Sequence, residues 1–168
     1  MKKLRLFVFL FAVAFIISAC QNVESRKSIV AGFNADFTAS KDSFCTSGSI
    51  TTQTGETKLI FSKPETVNGL KIKNGGGEIS IGIDNLVSTA DEAYLPDDNL
   101  PQLIHCVATE IGDGRESLYQ KNYEFDTYIL ETSKGKCTYE VDKNGYVISA
   151  EIKSKKFRID FSNQLALC

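Results

Sequence analysis

The side chains able to do chemistry in this 168-residue chain are few and widely spaced. Its single histidine, His105, is followed by Cys106, and adjacent side chains on a helix project about 100° apart, so no Cys-His pair is predicted. Asp91-Glu92 and Asp97-Asp98 lack the spacing and central glycine of a calcium loop, and we interpret them as helix caps and solvated loop residues. Since no motif for hydrolysis, hydride transfer or phosphoryl transfer is present, the sequence predicts no enzyme, no cofactor and no metal site.

The N-terminus carries the clearest pattern. Lys2, Lys3 and Arg5 precede 12 consecutive apolar residues, from Leu6 to Ile17, as in a signal peptide; this run is too short to cross the ~30 Å bilayer core as a helix. The next residues, Ile17-Ser18-Ala19-Cys20, resemble the lipobox of bacterial lipoproteins, in which the cysteine thiol receives a diacylglycerol group. We therefore expect a lipoprotein signal peptide at 1–19, lipidation at Cys20, and a polar tether at 20–27. This predicts attachment to the extracytoplasmic face of a cell membrane, in an envelope of one or two membranes.

Four further cysteines lie in the exported part of the chain: Cys45, Cys106, Cys137 and Cys168. An even number of cysteines in an exported protein predicts disulfides, and four cysteines allow three pairings among which the sequence does not choose. The alternative is that some are buried free thiols. No two of them lie within four residues of each other, which is not the spacing of a metal site.

Composition and charge restrict the class of protein and its partners. The chain is 42% hydrophobic and 24% charged, which is typical of a globular protein, and we expect a single domain at 28–168. Removal of Lys2, Lys3 and Arg5 with the signal peptide leaves 16 basic residues against 21 acidic ones, a net charge of −5. An acidic domain has no general attraction to nucleic acid or anionic headgroups. We therefore predict no nucleic-acid partner and a membrane contact made through acyl chains or apolar surface.

Apolar and polar residues alternate in short runs through most of the domain. This period of two predicts about nine antiparallel strands, each with one buried face. Turn residues separate the runs, and Asp142-Lys143-Asn144-Gly145 predicts a tight hairpin between strands near 137–141 and 146–152.

Helical signals are confined to two places. Apolar residues recur at helical spacing at Leu100, Leu103, Ile104 and Val107. Asn99 and Pro101 are suited to the start of a helix, so the sequence predicts one helix of ten to twelve residues here. A second, shorter pattern covers 26–31. The predicted class is α+β, a curved antiparallel sheet that forms an incomplete β-barrel with one or two covering helices.

One or two helices are few to cover the apolar faces of so many strands, so the sheet must either curl or leave a groove. A groove would accept an acyl chain without specific polar groups. The same residues would equally form a packed core, because patterning does not distinguish a filled interior from a hollow one. The residues predicted to line this space are Phe37, Phe61, Ile72, Ile81, Tyr139, Ile148 and Ile159.

Segments at both ends of the domain resemble a known family. Gly32-Phe33-Asn34-Ala35-Asp36-Phe37-Thr38, Ser47-Gly48-Ser49-Ile50 and the strand ending in Lys63-Pro64-Glu65 are similar to the opening of the lipoprotein carriers LolA and LolB. The segments 139–148 and 157–163 are similar to the last hairpin and strand of LolA-like lipoproteins of Gram-positive bacteria. The resemblance implies an incomplete, strongly curved antiparallel barrel whose inner face is covered by helices, with acyl chains held between them.

Two functional hypotheses follow. In the first, the protein is a membrane-anchored lipoprotein whose apolar groove binds lipid or an acylated protein. In the second, it is a lipid-anchored interaction or sensor module of the cell envelope with a solid core.

Overall fold

The computed structural model of the chain describes residues 28–112 and 115–167. The predicted signal peptide at 1–19, the lipidation site Cys20 and the tether at 20–27 lie outside the described residues, as does Cys168. In the part of the chain that is described, no helix is long and apolar enough to cross a membrane.

The described residues form one antiparallel sheet of eleven strands and one α-helix, α1, at Leu100–Glu110. Short 3-10 helices lie at Glu65–Val67, Glu92–Tyr94 and Lys153–Lys155. The predicted class, a curved and open antiparallel sheet with a covering helix, is confirmed. The strands are β1 (Phe33–Lys41), β2 (Phe44–Gln53), β3 (Glu56–Lys63), β4 (Lys71–Gly75), β5 (Glu78–Ile83), β6 (Leu86–Asp91), β7 (Ser117–Lys121), β8 (Phe125–Thr132), β9 (Gly135–Asp142), β10 (Val147–Ile152) and β11 (Phe157–Ala166).

The sheet consists of two meanders joined at its centre. Its strand order is β6-β5-β4-β3-β2-β1-β11-β10-β9-β8-β7, so all consecutive strands pair except β6 and β7. The first and last strands, β1 and β11, pair with each other from Phe33↔Ala166 to Lys41↔Phe157. The long connection between β6 and β7 contains α1. β6 and β7 are therefore the two edges of the sheet.

Alternation along each strand separates an interior face from a solvated one. In β1, Phe33, Ala35, Phe37 and Ala39 are buried, whereas the residues between them are half-buried or exposed. Edge-to-face ring contacts join Phe33 to Phe161, at a centroid distance of 5.6 Å, across β1 and β11. Aromatic packing of this kind and α1 fill the space inside the curved sheet.

Helix α1 begins and ends where the sequence predicts. The Asn99 side chain accepts a hydrogen bond from the backbone N–H of Gln102 at 3.0 Å, and Pro101 stands in the first turn, where its missing N–H costs nothing. The helix is 11 residues long and buries its apolar face against the sheet. Its C-terminal end is followed by Gly112 with φ +90°, a conformation that glycine adopts without strain.

The helix predicted at 26–31 is not found in the described part of that segment. Residues 26 and 27 lie outside the described residues, and 28–31 form no helix. The Val30 N–H instead donates to the carbonyl of Gly145 at 3.0 Å, so this segment bonds to the β9–β10 turn rather than to itself. The predicted hairpin at Asp142–Gly145 is present, and Gly145 has φ +90°.

Candidate functional site

Five of the seven residues predicted to line a groove share the interior face of the sheet and are buried there. Each is at most 5% exposed, as expected of core residues. Phe37 and Phe61 contact each other edge to face at 5.8 Å, and Tyr139 stacks on Tyr128 at 5.5 Å. The five residues are Phe37, Phe61, Ile72, Tyr139 and Ile159.

Ile148 does not lie where alternation places it. Val147 pairs with Val141 and Ser149 with Glu140, so Ile148 is the extra residue of a β-bulge in β10. The bulge shifts the alternation by one position, and Val147 takes the buried position while Ile148 is 36% exposed. The prediction that Ile148 lines the interior is therefore wrong, because a single inserted residue reverses the two faces of a strand.

Ile81 lies on the predicted face but is not covered. It pairs with Ile72 of β4, which in turn pairs with Leu59 of β3, so the three form one row across the interior face. Leu59 and Ile72 are buried, whereas Ile81 is 38% exposed. On the same face, Ile83 and its cross-strand partner Leu86 are 42% and 75% exposed. These three residues, Ile81, Ile83 and Leu86, form an open apolar shelf beside the packed core.

The described residues beneath α1 are closely packed, and Leu103, Ile104 and Val107 of the helix are 0% exposed. A small apolar cavity near the C-terminal end of the helix has a volume of about 10 Å³, which is about the space that one water needs. It is lined by Val30, Phe33, Val107, Ala108, Ile111, Val147 and Phe161. Pockets for drug-sized ligands hold about 300–1,000 Å³, so this cavity is too small for an acyl chain.

A polar strip lies between α1 and the β2–β4 part of the sheet. The Thr52 hydroxyl donates to the carbonyl of Ala108 at 3.3 Å, and the Thr57 hydroxyl lies 3.0 Å from Nδ1 of His105. Thr57 pairs across the sheet with Asn74, whose buried amide has no hydrogen-bond partner among the described residues. Burial lowers the pKa of His105 and outweighs the nearby carboxylates of Glu92 and Glu110, which raise it. His105 is therefore held neutral and serves to fasten α1 to the sheet.

The three cysteines among the described residues are free thiols. Cys45 is exposed and Cys106 and Cys137 are buried, and none of the three forms a disulfide; Cys168 lies outside the described residues. The predicted disulfides are thus not seen, and the alternative of buried free thiols describes Cys106 and Cys137. Burial raises the pKa of Cys106, and it raises that of Cys137 to about 12. Both thiols stay protonated at neutral pH and are poor nucleophiles.

Glu110 fastens the end of α1 to the β8–β9 hairpin. Its carboxylate accepts hydrogen bonds from the Ser133 hydroxyl at 2.5 Å, the Cys106 thiol at 3.3 Å and the Arg115 guanidinium at 3.2 Å. Burial alone would raise the pKa of Glu110, but the hydrogen bonds led by Ser133 outweigh it and hold the pKa below its usual range. The cluster therefore has a structural role, and its one thiol is not activated.

The acidic residues before α1 are also engaged structurally. Asp91 accepts a hydrogen bond from the Ala93 N–H at 2.8 Å and caps a 3-10 helix. The Asp97 carboxylate lies 3.8 Å from Nζ of Lys134, and the Asp98 carboxylate lies 3.8 Å from Nζ of Lys41. Within residues 28–112 and 115–167, no group of three or more His, Cys, Asp or Glu side chains could hold a metal ion.

The β6 edge is a surface that sequence reasoning did not identify. All six of its residues are exposed, including Leu86 and Val87, which is 71% exposed. Its register with β5 runs without interruption from Glu78↔Asp91 to Ile83↔Leu86. One sequence signal marks the region: no Lys or Arg occurs between Lys73 and Arg115. The shelf and this edge together form a continuous accessible surface with both apolar side chains and backbone groups.

Comparison with known proteins finds similarity in fold alone. No family model and no curated protein matches the sequence. Among solved structures, a LolA superfamily protein from Nitrosomonas europaea matches with 10% identity and a TM-score of 0.41, over 84% of this chain and 87% of that one. A domain from Vibrio parahaemolyticus, proposed to be an outer membrane lipoprotein-sorting protein, matches with 11% identity and a TM-score of 0.38, over 84% and 88%.

A third similar structure is the MucA/MucB complex of Pseudomonas aeruginosa, with 12% identity and a TM-score of 0.43. The match covers 82% of this chain but 53% of the other, so the chain spans about half the length of that protein.

Proposed function

We propose that this chain is a lipid-anchored, extracytoplasmic binding module of the cell envelope that uses its surface, and not an interior acyl-chain cavity, to bind its partners. In this proposal acyl chains on Cys20 hold the protein at the membrane. The domain at 28–168 acts without catalysis, as the buried, protonated thiols Cys106 and Cys137 and the neutral, structurally engaged His105 favour.

The observation that carries this proposal is the filled interior. Phe37, Phe61, Ile72, Tyr139 and Ile159 are each at most 5% exposed, and the apolar cavity beneath α1 measures about 10 Å³. For an acyl chain to enter at this cavity, α1 would have to move away from the sheet. That movement would break the His105–Thr57 contact and the hydrogen bonds of Glu110 with Ser133.

The anchor is supported by the sequence. Ile17-Ser18-Ala19-Cys20 follows the apolar run from Leu6 to Ile17, and each CH₂ buried in the bilayer contributes about 0.8 kcal/mol, so two or more acyl chains give stable attachment. We expect the intact mass of the membrane-extracted protein to correspond to a chain that begins at Cys20 and carries acyl groups. An unmodified Cys20, or a chain that retains residues 1–19, would contradict the anchor.

Lipid binding at the open shelf is the second candidate function, and the exposure of Ile81, Ile83 and Leu86 favours it. These side chains continue a buried apolar row, so an acyl chain laid across them would extend the core. Native mass spectrometry of residues 21–168 with added fatty acid or phospholipid separates the two candidates. We expect no stoichiometric adduct for a surface-binding module; an adduct that Leu86→Asp abolishes would establish the lipid-binding alternative.

A further inference from the structure

The outer edge of β6 offers unpaired backbone groups in a regular row. Within the described residues β6 pairs only with β5, and the Glu92 N–H continues that ladder by donating to the carbonyl of Gly77 at 2.9 Å. Because backbone groups of an antiparallel strand alternate in direction, the even-numbered residues of β6 face β5. The N–H and C=O groups of Val87, Thr89 and Asp91 therefore point away from the sheet.

This edge lacks the devices that normally block strand addition. Natural edge strands are protected by lysines, prolines, bulges or a covering element. The six residues of β6 include no Lys and no Pro, their register with β5 is unbroken, and every one of them is exposed. The edge is therefore sterically and chemically open to another extended segment.

The two faces of the edge differ in chemistry. On the interior face, β6 presents Leu86 next to Ile83, and both are exposed and apolar. On the outer face, Asp91 lies directly opposite Glu78, a cross-strand pair of like charges, which is unfavourable by itself. Neither carboxylate forms a salt bridge with a described residue, in contrast to Asp97 and Asp98. A cation placed beside Asp91 would relieve this repulsion.

We infer that the β6 edge binds an extended segment of a partner protein in which basic residues alternate with apolar ones. The inference rests on the proposed function and names the partner chemistry of that binding module. The added strand would bond to the backbone of Val87, Thr89 and Asp91, as in other β-strand additions. Its apolar side chains would pack on Leu86 and Ile83, and its basic side chains would lie beside Asp91 and Glu78.

The charges also argue against two other occupants. A second copy of this chain paired through β6 would add its own Glu78, Asp84, Asp91 and Glu92 to a region that has no Lys or Arg between Lys73 and Arg115, and like charges at close range are destabilising. A membrane surface with anionic headgroups would be repelled by the same carboxylates. A basic strand is the occupant that can both pair with the unpaired backbone groups of β6 and offset its nearby negative charges.

The test measures binding of three labelled eight-residue peptides to the full-length protein in non-ionic detergent, by fluorescence anisotropy. The first peptide alternates Lys with Val, the second alternates Glu with Val, and the third is the Lys-Val peptide with every backbone nitrogen methylated, so that neither of its edges can donate a hydrogen bond. We expect the Lys-Val peptide to bind at least tenfold more tightly than either control, with affinity falling as salt rises. Equal binding of the methylated peptide would overturn the inference, because it cannot form the strand hydrogen bonds.

Protein variants locate the site. Thr89→Pro removes an N–H that points away from β5, so it should weaken Lys-Val binding at least tenfold while leaving the β5–β6 ladder intact. Thr89→Val keeps that N–H and should bind like the unmodified protein. Paired Glu78→Gln and Asp91→Asn changes should reduce the salt dependence. Unchanged binding by a folded Thr89→Pro variant would overturn the inference; should that variant not fold, the methylated peptide still decides.

Sedimentation of the protein alone completes the test. We expect a monomer; a dimer that Thr89→Val retains and Thr89→Pro disrupts would make a second copy the occupant and overturn the inference. Failure of the peptides to bind, with no lipid adduct in the earlier experiment, would remove the β6 site and leave a binding module with another surface. A lipid adduct would instead remove the proposed function, whatever the peptides do.

Discussion

Along a single row of residues, one part of the sheet's interior face is buried and the other is exposed. Beneath α1, Ile50, Leu59 and Ile72 are at most 5% exposed. One strand further along the same row, Ile81 is 38% exposed, although its pairing with Ile72 is as regular as that of Ile72 with Leu59. Strand pairing is thus the same at Ile72 and Ile81, and the two positions differ in whether a second layer covers them. An apolar face becomes core only where another element covers it.

Covered residues of the sheet contribute to stability, whereas uncovered residues are accessible from solvent. The covered region contains the aromatic contacts, the helix and the Glu110 cluster, whereas the β5–β6 hairpin is bonded to the sheet on one side and open on the other. Substitutions of covered residues should therefore change the free energy of unfolding, whereas those at the exposed hairpin positions Ile81, Ile83 and Leu86 should leave it nearly unchanged.

The largest effect is expected at the centre of α1. Leu103 is 0% exposed, and truncation of a fully buried leucine to alanine removes its packing and leaves a cavity. Leu103→Ala should lower the free energy of unfolding by about 2–5 kcal/mol, measured by urea denaturation. A loss of less than ~1 kcal/mol would mean that α1 is only loosely packed on the sheet.

A second effect compares two glycines with positive φ. Gly145 has φ +90°, and a Cβ there would lie 2.4 Å from the carbonyl oxygen of Ser28, whereas Gly76 has φ +66° and no atom within 4 Å. Valine costs about 1–3 kcal/mol in such a backbone conformation, and only Gly145→Val adds a clash. Thermal denaturation should show the lower melting temperature for Gly145→Val. Equal melting of Gly145→Val and Gly76→Val would contradict the contact with Ser28.

A smaller, pH-dependent effect is expected at the polar strip. The pKa of His105 is lowered by burial, so below about pH 6.5 the unfolded chain binds a proton that the folded protein does not. Stability should therefore decrease as pH falls from about 7.5 to 5.5. His105→Gln should show a shallower decrease in denaturation midpoints over this range. An identical pH slope in both proteins would show that His105 titrates alike when folded and unfolded.

The smallest effect is expected on the open shelf. Leu86 is 75% exposed, and surface substitutions of this kind usually change stability by less than about 0.5 kcal/mol. Leu86→Ala should therefore unfold at nearly the same urea concentration as the unmodified protein. A destabilisation comparable to that of Leu103→Ala would mean that a further element covers Leu86.

The local elements could be predicted from the sequence because their signals lie within a few residues. Asn99 and Pro101 define the start of α1, and Asn144-Gly145 defines the β9–β10 turn. The outermost strands, β6 and β7, expose every residue and so show no burial alternation. The alternation predicts about nine strands, whereas the described residues form eleven.

Burial at the candidate groove required information that no short segment contains. Ile81 and Ile72 have the same pattern in sequence, and only the position of α1 decides that one is covered. Ile148 follows the alternation of Ala150 and Ile152, but the bulge that reverses it depends on how β10 pairs with β9. The openness of the β6 edge likewise depends on which strand is last in the sheet. Patterning predicts the two faces of a strand but not what lies above or beside them.

The pairing of β1 with β11 determines when the protein can finish folding. Partners such as Phe33 and Ala166 are separated by more than a hundred positions, and pairing at such distance is slow because a long loop must close first. During synthesis the first meander emerges before β11 exists, so β1 is a temporary edge until β11 is made. Chains that stop before Phe157 would keep that edge permanently, and we expect them to aggregate or be degraded instead of accumulating as a partial domain.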